Sequence, residues 1–205
     1  MAGDVVISAA VEGVIDEAVI RRLLTYVGAI PGDVYGKQGK AFLKQRTAAY
    51  NNAARYAPWI ILVDLDDEAS CAPPLRAAWL PDPAPRLCFR VAVREVEAWL
   101  FADRENLADF LAIGRGLLPA DPESLQDPKR EMVNLARRSR RRAIREDMVP
   151  RPEAGRIVGP AYASRLIEFV TSLWHPDHAA GHSESLRRAV ECLRRLLASS
   201  EATAA

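Results

Sequence analysis

The stretch Trp59-Ile60-Ile61-Leu62-Val63-Asp64-Leu65-Asp66-Asp67-Glu68 decides the expected fold. Its first five residues are apolar without a polar break, which predicts a strand buried inside a parallel sheet. A cluster of carboxylates follows at once, and such groups repel one another unless they are solvated or neutralised by a cation. Oxygen-only ligands of this kind suit a hard ion such as Mg²⁺. The alternative is a plain solvated loop after the strand.

A second predicted strand, Asp4 to Val11, also ends in an acid. Glu12 and Gly13 follow it directly, and a helix with apolar residues at helical spacing begins near Asp16. Asp16 has a structural role available as the N-cap of that helix. Glu12 lies outside the helix at the end of a buried strand, which makes it the stronger functional candidate.

A third predicted strand, Leu87 to Val93, leads into a helix through Glu95 and Glu97. Glu97 falls in the first helical turn, where an acid is favourable to the helix dipole in any protein. In an open parallel sheet, ligands bind at the carboxyl ends of the strands. Since Glu12, Asp64 and Glu95 all follow strands, the sequence predicts an α/β protein with an open, mainly parallel sheet and an acidic site at one edge.

These acids resemble the signature of the TOPRIM (topoisomerase–primase) domain, in which a glutamate follows the first strand and a D-x-D motif follows a later one. Glu12 and Asp64-Leu65-Asp66 stand at those positions. The sequence is more similar still to TOPRIM-type nucleases of the OLD family and a related bacterial group. In those nucleases a second acid follows the first by four residues, as Asp16 does here. They also carry a small-residue-x-Glu motif, which Glu95-Val96-Glu97 resembles, and a downstream lysine, which Lys129 resembles.

The resemblance covers about Val5 to Lys129 and implies a nuclease that uses Mg²⁺ or Mn²⁺ to hydrolyse phosphodiester bonds. Glu95 stands where the motif has a small residue, so either it or Glu97 remains open as the ligand. The implied metal ligands are Glu12, Asp16, Asp64, Asp66 and Glu95 or Glu97. The implied catalytic residues are Glu12, Asp64, Asp66 and Lys129. The resemblance also implies DNA ahead of RNA as substrate, defence against foreign DNA, and a partner ATPase.

Lys129 can also be argued from its place in the chain. Asp127 is expected to cap a helix in which Pro128 is the first residue. Lys129 then lies in the first turn, where a cation opposes the helix dipole. This unfavourable position indicates a role such as contact with phosphate, and an exposed surface lysine is the alternative.

After about Ile113 the sequence changes to helices rich in arginine. We therefore divide the chain into a TOPRIM-like α/β core, 1–113, and a helical extension packed on it, 114–205. Between Arg137 and Arg145, six arginines fall within little more than two helical turns. One interpretation is contact with nucleic-acid phosphates, and the other is a solvated helix face paired with nearby acids. The candidates for nucleic-acid contact are Arg137, Arg138, Arg141 and Arg142.

Composition sets further limits on function. The chain has 28 Lys and Arg against 27 Asp and Glu, so the arginine run is a local asymmetry and not general basicity. No apolar stretch approaches the roughly 20 residues that span a bilayer, and residues 1–4 do not begin a signal peptide. Three widely spaced cysteines indicate reduced thiols, and hence a cytoplasmic protein. The sequence leaves a monomer and a homodimer open.

Two other motifs favour a structural role over catalysis or metal binding. Gly36-Lys37-Gln38-Gly39-Lys40 lacks the spacing of a phosphate-binding Walker loop, which argues against nucleotide hydrolysis. The histidines of the segment 175–182 are interrupted by Pro176 and Gly181, which favours a polar loop over a metal site. Two alternative functions remain open: a catalytically silent module that binds nucleic acid or regulates a partner, and a small-molecule phosphotransferase using the same acidic edge.

Overall fold

A computed structural model describes residues 5–152 and 155–204 of the chain. Within these residues the sheet has four parallel strands in the order β2–β1–β3–β4. The strands are β1 (Val6–Val11), β2 (Ile30–Gly36), β3 (Trp59–Asp64) and β4 (Leu87–Ala92). The expected α/β class, with a parallel sheet flanked by helices and helices at the C-terminal end, is confirmed. The expected start of the first strand at Asp4 lies outside the described residues.

Strand β2 was not foreseen from the sequence. Its residues include Pro31 and Gly32, which normally weaken a strand. Because β2 is an edge strand and half exposed, it tolerates a proline that a central strand would not.

Helices connect the strands and cover both faces of the sheet. Those up to residue 111 are α1 (Val14–Val27), α2 (Lys40–Ala53), α3 (Ala72–Trp79), α4 (Val96–Ala102) and α5 (Arg104–Leu111). Those that follow are α6 (Pro128–Arg137), α7 (Arg142–Met148), α8 (Tyr162–Ser172), α9 (Pro176–Ala180) and α10 (Glu184–Ala204). No helix in the described part of the chain combines the length and the apolarity needed to cross a membrane.

Alternation along the strands divides the core into two layers. Ile61 and Val63 of β3 point towards α2 and α3, whereas Ile60 and Leu62 point to the opposite face. That opposite face is covered by α1, α4 and the C-terminal helices, which form one continuous apolar cluster. Residues of both segments, 1–113 and 114–205, therefore contribute to the apolar cluster on this face of the sheet.

Three local expectations are wrong. Helix α1 starts at Val14 with Gly13 as its N-cap, so Asp16 is not the cap and lies inside the first turn. The arginine run is not one helix, since α6 ends at Arg137 and α7 begins at Arg142. The supposed polar loop at the histidines contains the one-turn helix α9, which Pro176 opens.

The cysteines also differ from expectation. Cys88 of β4 and Cys192 of α10 form a disulfide, whereas Cys71 is free and exposed. The two bonded residues are 104 positions apart, so the pairing depends on the docking of α10 against β4.

Candidate functional site

The acids meet where the strand order changes direction. The chain passes from β1 outward to β2 and then returns to β3 on the other side of β1. In an open α/β sheet this switch point leaves a crevice at the carboxyl ends of the two central strands, where ligands commonly bind. Glu12 directly follows β1 and Asp64 ends β3. The two are joined, because the Asp64 backbone N–H donates to Oε1 of Glu12 at 2.8 Å.

A pocket of about 280 Å³ opens at this point. Three carboxylates from different segments line it beside Glu12: Asp16, Asp64 and Glu97. Asp16 reaches the pocket because α1 begins immediately after β1 and its first turn lies over the strand end. Glu97 arrives in the same way from the first turn of α4, which follows β4. Lys129, in the first turn of α6, is the lysine that lines the same pocket.

Asp64 is buried and caps a helix. Its Oδ1 accepts the Val96 N–H at 3.0 Å, which satisfies one of the free amide groups at the start of α4. Burial, followed by repulsion from Asp16 and Glu97, raises the pKa of Asp64 well above its usual range. The side chain therefore combines a structural role with an unfavourable electrostatic position.

Asp16 is the most unusual member of the group. It is 6% exposed, and its Oδ1 is buried without a hydrogen-bond partner in the described chain. Burial, followed by repulsion from Glu97, raises the pKa of Asp16 to about 7. Leaving a buried acceptor unpaired costs about 1–3 kcal/mol, and more when the group is charged. The position of this oxygen is therefore one that a proton or a cation would stabilise.

Glu97 is held by a tyrosine of α8, Tyr162, which the sequence did not connect to the site. The Tyr162 hydroxyl donates to Oε1 of Glu97 at 3.1 Å, and both side chains are buried. Burial raises the pKa of Glu97, which Lys129, 3.9 Å from Oε1, partly opposes. Burial also raises the pKa of Glu12, to about 6. Tyr162 lies 65 positions from Glu97, so no local motif connects them.

Lys129 faces two glutamates. Its Nζ bonds to Oε1 of Glu95 at 2.9 Å, and its backbone N–H bonds to Oε2 of the same residue at 2.9 Å. Burial works against the ammonium, but Glu97 and then Glu95 raise the pKa of Lys129 above its usual value. Asp127 caps α6 through the Arg130 N–H at 2.8 Å, so the expected cap and the first-turn position of Lys129 are confirmed.

Asp66 is directed away from the pocket. Its Oδ2 accepts from Nζ of Lys40 at 2.9 Å, and the same Nζ donates to the Asp64 carbonyl at 2.6 Å and to the Leu65 carbonyl at 3.3 Å. Lys40 thus anchors the loop after β3 from the first residue of α2. Lys40 had no place in the acidic site expected from the sequence, because β2, whose carboxyl end lies just before Lys40, was not foreseen.

The arginines lie at the far end of α6. With a rise of about 1.5 Å per residue, Arg137 is roughly 12 Å along the helix axis from Lys129. Arg141 donates to the Phe110 carbonyl at 3.3 Å, and Arg142 pairs with Glu146 at 2.7 Å. Of the four candidates, Arg137 and Arg138 are the two that are exposed and make no side-chain bond within the described residues.

The pocket side chains suit a divalent metal in their chemistry but not in their present orientation. As oriented, no three His, Cys, Asp or Glu side chains among the described residues come together closely enough to hold an ion. The reason is visible in the bonds: Glu12 holds the Asp64 amide, and Asp64 holds the Val96 amide. The chemistry nevertheless fits, since the side-chain oxygens that line the pocket all belong to carboxylates, which hard cations prefer, and Oδ1 of Asp16 has no competing partner within the described residues.

Comparison with known proteins finds no matching family model, no similar curated protein and no similar solved structure. The class to which the chain is assigned therefore follows from its own fold and site. It is an α/β protein with a parallel sheet and an acidic pocket at the switch point of that sheet.

Proposed function

We propose that this protein is a metal-dependent nuclease that hydrolyses phosphodiester bonds in nucleic acid. The observation that carries the proposal is the convergence of Glu12, Asp16, Asp64 and Glu97 on one pocket, where burial raises all four pKa values and repulsion from neighbouring carboxylates adds to the effect. Such perturbed groups gathered in a cleft are typical of functional sites. A cation that offsets their repulsion would stabilise the folded protein as it binds.

The pocket residues divide into ligands and a cation. Asp16, Asp64 and Glu97 would hold Mg²⁺ or Mn²⁺, with Glu12 adding a further oxygen. The ion would supply activation of the attacking water and neutralisation of charge on the phosphate. We assign Glu97 and not Glu95 as the ligand, because Glu97 lines the pocket whereas Glu95 holds Lys129.

Lys129 would stabilise the negative charge that develops on the phosphate oxygens. Glu95 binds both its backbone N–H and its Nζ, so the side chain is oriented before a substrate arrives. Preorganised charge of this kind is commonly the largest contribution to catalysis. Lys40 and Tyr162 are positioning residues, since they act through the loop after β3 and through Glu97.

The resemblance to OLD-family nucleases extends the proposal to DNA as substrate, defence against foreign DNA and a partner ATPase. Arg137 and Arg138 would contact the phosphate backbone beyond the pocket, where sequence-independent affinity is expected. The proposed compartment is the cytoplasm. Disulfides are rare there, so titration of free thiols in protein isolated under denaturing conditions would test whether Cys88 and Cys192 are bonded in the cell.

One set of contacts favours a second candidate, a catalytically silent module that binds nucleic acid. Asp64 caps α4 through Val96, and Glu95 accepts an amide of α6. These acids therefore have structural tasks that would retain them without catalysis. In that case the protein would bind nucleic acid but leave it intact.

The test is a cleavage assay on supercoiled plasmid and on single-stranded DNA, with Mg²⁺, with Mn²⁺ and with a chelator. We expect metal-dependent cleavage by the wild-type protein and none by Asp64→Asn, which keeps an oxygen to accept the Val96 amide. Asp67→Asn is the matched control, because Asp67 belongs to the same loop but its side chain is 95% exposed. Binding without cleavage by the wild type under every condition would support the silent module instead.

A further inference from the structure

A group of arginines gathers at the outer edge of the sheet, away from the acidic pocket. Strand β4 is the outermost strand, and Arg90 lies near its middle. Alternation along the strand places Arg90 on the same face as Cys88 and Ala92, which is the face covered by α10. A charged residue at this position is half-buried between the sheet and the helix.

Neighbouring elements add further arginines to this edge. Arg188 and Arg195 lie one turn before and one turn after Cys192, whose disulfide to Cys88 fixes that face of α10 against β4. Arg76 comes from α3, which packs on β4 from the other face. These three residues lie near enough to Arg90 for their charges to lower its pKa.

The two inner arginines lack partners. The Nε atoms of Arg76 and Arg90 are buried and make no hydrogen bond in the described chain. No other nitrogen of these side chains is both buried and unpaired, so the terminal guanidinium nitrogens remain open to solvent. A buried, unsatisfied donor on a charged group is costly, and finding two of them together indicates that a partner of opposite charge belongs here.

Nearby acids do not supply that partner. Glu184 pairs with Arg187 and Arg188, and Glu191 pairs with Arg187. Burial, followed by repulsion from Arg76 and Arg188, lowers the pKa of Arg90 to about 10, and attraction to Glu191 opposes this only in part. The positive charge of the edge is therefore in excess over the carboxylates that face it.

We propose that the outer edge of β4 is a binding site for a phosphate group, held by Arg90 and Arg76 with Arg195 at its rim. Two guanidinium groups with free terminal nitrogens match the oxygens of a tetrahedral oxyanion, which arginine binds in bidentate fashion. The phosphate comes either from a small phosphorylated molecule or from a nucleic-acid backbone. Both share the same chemistry at these side chains, and the site does not depend on the acidic pocket.

The experiment measures phosphate binding to the full-length protein by calorimetry, in chelator and at constant ionic strength set with chloride. We expect Arg90→Met, which keeps the length of the side chain but removes its charge, to weaken phosphate binding about tenfold or more. Arg156→Met is the matched control, since Arg156 is exposed, makes no side-chain bond among the described residues and belongs to neither proposed site, and it should bind phosphate as the wild type does. A parallel titration with a single-stranded oligonucleotide identifies the source of the phosphate, because only a backbone contact makes oligonucleotide affinity fall in Arg90→Met as well.

Two results would overturn the proposal. One is wild-type protein that binds phosphate no better than chloride, and the other is Arg90→Met with unchanged phosphate affinity. If Arg90→Met does not fold, Arg195→Gln on the exposed rim provides the test, with binding expected to weaken about threefold. An unchanged affinity in that folded variant would count equally against the site.

Discussion

Asp16→Asn should make the metal-free protein more stable at alkaline pH. Folding raises the pKa of Asp16 from 3.8 to about 7, and each unit corresponds to about 1.36 kcal/mol. The full effect of the charge is therefore about 4 kcal/mol against the folded state. The amide would remain a buried polar group with no partner for one of its atoms, which offsets about 2 kcal/mol of that gain. The expected net stabilisation is about 2 kcal/mol at pH 8.

The sign of the pH dependence provides a second check. Because the folded-state pKa is raised, the wild type carries no penalty below pH 3.8, and the penalty grows until the pH exceeds about 7. The advantage of Asp16→Asn should therefore fall to about zero at pH 5, where less than half of the charge penalty has developed and the cost of the buried amide offsets it. Urea denaturation at both pH values in the presence of chelator measures this, and thermal melting at pH 8 should rise by about 4–8 °C.

Asp67→Asn serves as the control for this experiment. Its side chain is 95% exposed, so we expect a change within about 0.5 kcal/mol at either pH. The reasoning would be refuted if Asp16→Asn were no more stable than the wild type at pH 8, or if it gained equally at both pH values. The same variant should lose most of the stabilisation that Mg²⁺ or Mn²⁺ gives to the wild type, since a metal that prefers the folded state raises its stability.

Three further predictions concern the residues around the pocket. Tyr162→Phe removes the hydroxyl that donates to buried Glu97 and should lower the free energy of unfolding by about 1–3 kcal/mol at pH 8; a change below about 0.5 kcal/mol would show that the bond is unimportant. Lys40→Met removes the donor to two carbonyls and Asp66, and should destabilise the protein by about 2 kcal/mol in urea, with wild-type stability as the contrary result. Replacing Arg137 and Arg138 together by glutamine should lower the slope of log affinity against log salt by about 2 for every nucleic-acid sequence, while metal stabilisation is unchanged; an unaltered slope would leave these side chains as a solvated surface.

Local sequence patterns were enough to find most of the sheet and two of the pocket acids. The apolar runs before Glu12 and Asp64 predicted β1 and β3, because a strand buried on both faces must be apolar at every position. Strand β2 was missed because it is an edge strand, half exposed and containing Pro31, and such a strand need not be apolar at every position. The pattern therefore recognises burial, and elements that are only partly buried are missed.

The sequence was a poorer guide to which acidic side chains line the pocket. Asp16 was expected to cap a helix. The N-cap is Gly13 instead, so Asp16 lies in the first turn of α1, over the end of β1. Glu95 and Glu97 were indistinguishable from spacing alone. Only the start of α4 at Val96 decides that Glu97 enters the pocket, while Glu95 turns to Lys129.

What the sequence determined by itself was the class of fold and the edge at which the acids collect, because both follow from interactions between residues near one another in the chain. What only the tertiary structure decided was which groups meet across long separations. Tyr162 reaches Glu97, and Arg90 is set among arginines from α3 and α10. Such contacts depend on how whole helices pack against the sheet, and burial changes the pKa of a side chain only once that packing exists. The electrostatic character of both sites is thus a property of the folded chain.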